Sequence, residues 1–129
     1  MTNIERTLDF IELWNKMDHD GIVSTISDSI IYHNIPMPPA HGRESFIAAI
    51  EPMFAISKEI KWEASLIAET KSGEVLTERT DTFRLKSGKL ISMRVMGVFE
   101  WTKGGELFRW RDYFDLAEFE MQVATQAPG

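Results

Sequence analysis

Apolar side chains recur at two different periods in this chain, three to four residues apart in the first part and two apart in the last, which divides it into helices and strands. Ile4, Leu8, Ile11 and Met17, widened by Leu13 and Trp14, form a helical stripe, and Thr2 with Glu5 supplies a capping box ahead of it. The spacing predicts a helix over residues 4–17. Asp18-His19-Asp20-Gly21 reads as a break, residues 22–26 as a short second helix, and residues 29–35 as a strand with Ile30, Tyr32 and Asn34 on one face. Pro36, Pro38 and Pro39 impose an extended connection, after which Phe46, Ile47, Ile50, Met53 and Phe54 return to helical spacing over residues 43–54. Residues 60–70, 75–85, 91–101 and 107–114 then alternate as strands. Lys71-Ser72-Gly73, Lys86-Ser87-Gly88-Lys89 and Thr102-Lys103-Gly104-Gly105 between them have hairpin-turn composition. A closing helix is expected over residues 117–123 and a frayed tail over 124–129. Helices first and strands second predict one α+β domain over residues 1–129. Its mixed, mostly antiparallel sheet is highly curved into a cone, closed by three to four helices over a deep cavity.

Two of these strands break the pattern that defines them. One face of residues 75–85 carries Val75, Thr77, Arg79, Asp81, Phe83 and Leu85, and one face of residues 107–114 carries Phe108, Trp110, Asp112 and Phe114. An isolated buried carboxylate costs several kcal/mol, so such groups are paired, protonated or in use. Arg79 and Asp81, two residues apart, project into the same cavity as Asp112, and a guanidinium can bridge two carboxylates through its fork of donors. Desolvation and like charge favour one retained proton in the carboxylate pair near neutral pH, and such a pair offers an acid and a base together. A structural ion pair between adjacent strands would use the same residues. Tyr32 and Asn34 tilt the balance, because a phenol and an amide beside a carboxylate can hold a water by three hydrogen bonds.

Composition narrows the remaining options. A chain of 129 residues with 43% hydrophobic and 26% charged residues suits a soluble globular domain, and no apolar run approaches the roughly 20 residues of a membrane helix. No secretory signal pattern is visible, and cytoplasmic residence is the default expectation. The absence of cysteine excludes disulfides, thiol nucleophiles and thiolate metal sites. A net charge of −6 without a basic stripe argues against nucleic-acid binding. His19 and His41 fall in turns and His33 opposite Tyr32 and Asn34, with no ligand-like spacing, so no metal is expected.

Tyr32-His33-Asn34-Ile35-Pro36-Met37-Pro38-Pro39 with Gly42-Arg43, Thr77-Glu78-Arg79-Thr80-Asp81, Met96-Gly97-Val98-Phe99 and Trp110-Arg111-Asp112-Tyr113-Phe114-Asp115-Leu116 together resemble the limonene-1,2-epoxide hydrolase family over almost the whole chain. The resemblance implies the cone-shaped fold shared with nuclear transport factor 2, SnoaL-like proteins and ketosteroid isomerase, usually as a homodimer. It also implies cofactor-independent hydrolysis of an apolar, cyclic or bulky epoxide to a vicinal diol, by direct water attack without a covalent intermediate. Asp112 would then be the general base on a water held with Tyr32 and Asn34, Asp81 the general acid, and Arg79 the bridge between them. Phe83, Met93, Val95, Phe114 and Phe119 fall where the family lines its pocket. Two rivals stand beside this reading. One is an isomerase or cyclase with a carboxylate base, and the other a non-catalytic module for hydrophobic ligands.

Overall fold

A computed structural model describes residues 1–125. Ten elements follow in the order α1 (Asn3–Asn15), α2 (His19–Thr25), β1 (Ile26–Ile35), β2 (Ala40–His41), α3 (Arg43–Ile56), β3 (Ser57–Glu69), β4 (Val75–Leu85), β5 (Leu90–Trp101), β6 (Leu107–Tyr113) and α4 (Leu116–Thr125). The strands form one curled sheet in the order β2-β1-β6-β5-β4-β3. All neighbours are antiparallel except β1 and β6, which run parallel with Tyr32 opposite Trp110 and Asn34 opposite Asp112.

The predicted elements are present, with shifted ends that have local causes. The capping box of α1 forms, Glu5 N–H donating to Thr2 Oγ1 at 3.0 Å and Thr2 N–H to Glu5 Oε1 at 2.8 Å. The helix stops at Asn15 rather than Met17, because Met17 takes a left-handed φ of 53° and Asp18 N–H turns back to Leu13 O at 2.9 Å, a Schellman-type ending. Asp18 then caps α2 by accepting from Gly21 N–H at 2.9 Å, so that helix starts at His19, and Ile26 belongs to β1. The two-residue strand β2 is too short for periodicity to reveal. α3 continues to Ile56 through Pro52. α4 covers residues 124 and 125, which were expected in the frayed tail. The rest of that tail, 126–129, lies outside the described residues.

The core fills the concave side of the sheet beneath α1 and α3. Its centre is Trp110, fully buried, stacked on Phe99 at 5.3 Å between ring centroids, tilted against Tyr32 at 4.5 Å and met edge-on by Phe10 at 5.3 Å. Arg43 fastens the start of α3 to the opening of β1, its Nη2 donating to Ile26 O at 2.8 Å and its Nη1 to Val23 O. Further along β1, the parallel register with β6 carries Asn34 opposite Asp112.

Candidate active site

The strand β4 is buried at Val75, Thr77, Arg79, Asp81, Phe83 and Leu85 in strict alternation, so the period-two reading places its charged pair correctly. Arg79 is 1% exposed, and Asp81 and Asp112 are each 4% exposed. The guanidinium meets both carboxylates in forked pairs. Nε and Nη2 donate to Asp81 Oδ1 and Oδ2 at 3.0 and 2.8 Å, and Nη1 and Nη2 donate to Asp112 Oδ1 and Oδ2 at 3.2 and 2.9 Å. Nη1 also donates to Thr77 Oγ1 at 3.2 Å, so each of the five guanidinium hydrogens has an acceptor. A buried cation with every donor used is held in one plane and one orientation.

Several residues that fix this plane escaped the sequence reading. Trp62, opposite Asp81 on β3, lays its ring 4.9 Å from the guanidinium carbon, and Phe99 lies 5.6 Å away. The far face of Trp62 stacks on Trp14 at 4.3 Å and 15°. Its backbone, on the outer strand of the sheet, is paired by the side-chain amide of Asn15, which accepts from Trp62 N–H at 2.6 Å and donates to Trp62 O at 3.1 Å. Trp110 Nε1 donates to Asp112 Oδ1 at 2.9 Å, an interaction its same-face spacing of two permits. Gly97 lies under the triad, where an added Cβ would be 2.4 Å from both Arg79 Nη1 and Asp112 Oδ1. A lone glycine within a strand signals such a close approach, and that was the available clue.

Phe108 corrects an expectation. Alternation put it on the Asp112 face, yet it is 36% exposed while Leu107 is fully buried. Trp101 pairs with Leu107 and Glu100 with Arg109, so Phe108 is the extra residue of a bulge that reverses the facing on one side of it. His33 and His41 line a cleft away from the triad with Arg109 and Arg111.

Tyr32 and Asn34 reach the same place from β1. Asn34 Nδ2 donates to the Tyr32 hydroxyl at 3.0 Å. Burial, reinforced by the charge of Asp112, raises the Tyr32 pKa and keeps it a phenol. Burial also pushes Asp81 up to about 6, with Asp112 adding to the rise and Arg79 opposing it. Asp81 therefore holds its proton into a range where an ordinary aspartate has lost it.

A cavity of about 370 Å³ opens above this floor, with Tyr32, Asn34, Asp81 and Asp112 among its lining residues. Phe83, Met93, Val95, Phe114 and Phe119, named from the sequence, all line it. So do Trp14, Ile50 and Met53, which helical spacing placed on apolar stripes, together with Met37, Pro52 and Trp62. Their double role depends on where α1 and α3 cross the sheet, which spacing along one element does not encode. Among the described residues, no three His, Asp or Glu side chains converge as a metal site.

Comparison with known proteins places this arrangement. The chain is 28% identical over 109 residues, 83% of its own length and 69% of the relative's, to epoxide hydrolase EphG of Mycobacterium tuberculosis. Its fold matches the structure of an LEH-like epoxide hydrolase of M. tuberculosis with a TM-score of 0.79 at 24% identity, covering 94% of this chain and 88% of that one. A SnoaL-like protein from Shewanella denitrificans has the same fold, with a TM-score of 0.83 at 14% identity over 96% and 98% of the two chains. The profile of the limonene-1,2-epoxide hydrolase catalytic domain matches residues 1–125, and the chain belongs to that epoxide hydrolase family.

Proposed function

We propose that the protein hydrolyses an apolar epoxide to a vicinal diol in one general acid/base step, without a covalent intermediate. The observation that carries this reading is Arg79, which holds two carboxylates at the floor of an apolar cavity that Tyr32 and Asn34 also line, Asn34 standing opposite Asp112 in the strand register. In this reading Asp112, ionised, accepts a proton from a water that Tyr32 and Asn34 also hold. The water oxygen attacks an epoxide carbon, the opposite C–O bond breaks, and protonated Asp81 delivers its proton to the leaving oxygen. The cycle closes when Asp112 gives up its proton and Asp81 regains one from solvent. Each proton transfer contributes roughly 10²–10⁴ in rate, and a concerted ring opening needs both at once. A carbonyl isomerase would need a single basic carboxylate, whereas here a buried cation contacts two carboxylates at once.

The test is turnover in oxygen-18 water. Wild-type protein should give a diol with one labelled oxygen from the first turnover, and unlabelled first-turnover product would mean a carboxylate nucleophile. Asp112→Asn should lower kcat by roughly 10²-fold or more while the protein stays folded by circular dichroism. Full activity in that variant would remove Asp112 from the role of base.

A further inference from the structure

We propose that the cavity selects neutral epoxides carrying an aryl group, an inference that rests on the hydrolase reading and narrows its substrate class. The lining is sharply divided. Its titratable and amide side chains Tyr32, Asn34, Asp81 and Asp112 sit together at the triad, and no lysine, arginine or histidine is among the lining residues. Arg79 cannot serve as a counter-charge for substrate, since its hydrogens are all taken by Asp81, Asp112 and Thr77. A carboxylate on the substrate would therefore be desolvated without a counter-charge and repelled by the acids, so the cavity takes a neutral substrate.

The rest of the wall is aromatic rather than merely apolar. Trp14, Trp62, Phe83, Phe114 and Phe119 supply five rings, and methionines supply thioethers, against few branched aliphatic side chains. Trp14 and Trp62 stack on each other at 15° and Phe83 meets Trp62 edge-on at 81°, which fixes the rings that border the cavity. An aryl ring gains from stacked, edge-to-face and sulfur contacts that a saturated ring of equal size cannot make. Acid-led opening adds a second gain. Positive charge grows on the ring-bearing carbon, and the negative faces of surrounding rings stabilise it. The volume of about 370 Å³ lies near the lower end of small-molecule sites, roughly 300–1,000 Å³, which suits a compact ring and excludes a long chain.

The test separates binding from chemistry. Quenching of tryptophan fluorescence in wild-type protein would measure binding of 1-phenylethane-1,2-diol and 1-cyclohexylethane-1,2-diol, which share one polar end and differ in the ring. The phenyl diol should bind about tenfold more tightly, about 1.4 kcal/mol, although the cyclohexyl ring is the more hydrophobic. Phe119→Leu should shrink that ratio. Styrene oxide should be turned over and the anionic cis-9,10-epoxystearate should not. Equal or tighter binding of the cyclohexyl diol, or efficient turnover of the epoxystearate, would overturn the inference. If the phenyl diol binds more tightly but no epoxide is opened, the hydrolase reading fails while the ring selectivity of the cavity stands.

Discussion

Two side-chain amides close two unpaired strand edges in the same way, yet the helices around them differ. Asn15 pairs both backbone groups of Trp62 on β3, and Gln122 does the same for Ser92 on β5, accepting from its N–H at 2.8 Å and donating to its carbonyl at 2.8 Å. Each amide stands in for one residue of a missing strand. Asn15 ends α1, whose Thr7, Phe10, Ile11 and Trp14 are buried. Gln122 lies in α4, whose Leu116 and Phe119 are only half-buried and whose Met121 is 62% exposed. The α1 side is welded into the core and holds Trp62 against the guanidinium. The α4 side rests on the sheet through Gln122, the Lys89 Nζ bond to Val123 O at 2.7 Å and the partly buried Phe119. The contrast assigns charge geometry to the fixed wall and substrate fit to the lightly held one, because loss of rigidity costs a hydrophobic pocket little and a bridged carboxylate pair a great deal.

The most damaging way to break the fixed side is from beneath. Gly97→Ala puts a methyl group 2.4 Å from Arg79 Nη1 and Asp112 Oδ1, so one must move. Activity should fall by roughly 10²-fold, with a loss of about 1–3 kcal/mol in chemical denaturation. Trp62→Leu breaks it from the side, removing the ring over the guanidinium and the partner of Trp14. Stability should drop by roughly 2–4 kcal/mol, and kcat should fall more than KM rises, as steady-state kinetics on purified variant would show.

The Asp81 titration sharpens the comparison without breaking it. Its pKa is raised to about 6, so the required acid is lost as pH rises through that value and kcat/KM should decline there. The same shift favours the folded state fully below the unfolded value near 4, and that contribution disappears as pH rises through about 6. The stability of wild type relative to Asp81→Asn should therefore fall between pH 4 and 7 in thermal melts. A flat difference would show that Asp81 does not hold its proton.

The smallest effect belongs to the loose wall. Gln122→Ala removes two backbone hydrogen bonds at a part-exposed site, worth about 1 kcal/mol in thermal unfolding. KM for a bulky epoxide should rise a few-fold while kcat and the pH midpoint near 6 hold, since the carboxylates take their hydrogen bonds from Arg79 and Trp110 rather than from α4. A collapse of kcat in this variant would show that both walls set the charge geometry.

Periodicity along single elements determined much of this protein. The alternation of residues 75–85 put Arg79 and Asp81 on the inner face, the helical stripe and capping box built α1, and the glycine-bearing turns marked the hairpins. A shared strand face supplied Tyr32 and Asn34, and the family resemblance supplied the lining residues Phe83, Met93, Val95, Phe114 and Phe119, all of which the fold brings together. What alternation misplaced was Phe108, because a bulge depends on the partner strand and leaves no period of its own. Only the tertiary structure decided the parallel pairing that sets Asn34 beside Asp112, the tryptophan stack over Arg79, the hydrogen bond from Trp110 and the space kept open by Gly97. The physical reason is range. Side-chain direction follows from local backbone geometry and is written every second or fourth residue, whereas register and ring stacking join positions far apart in sequence, and their energies exist only once the chain has closed on itself.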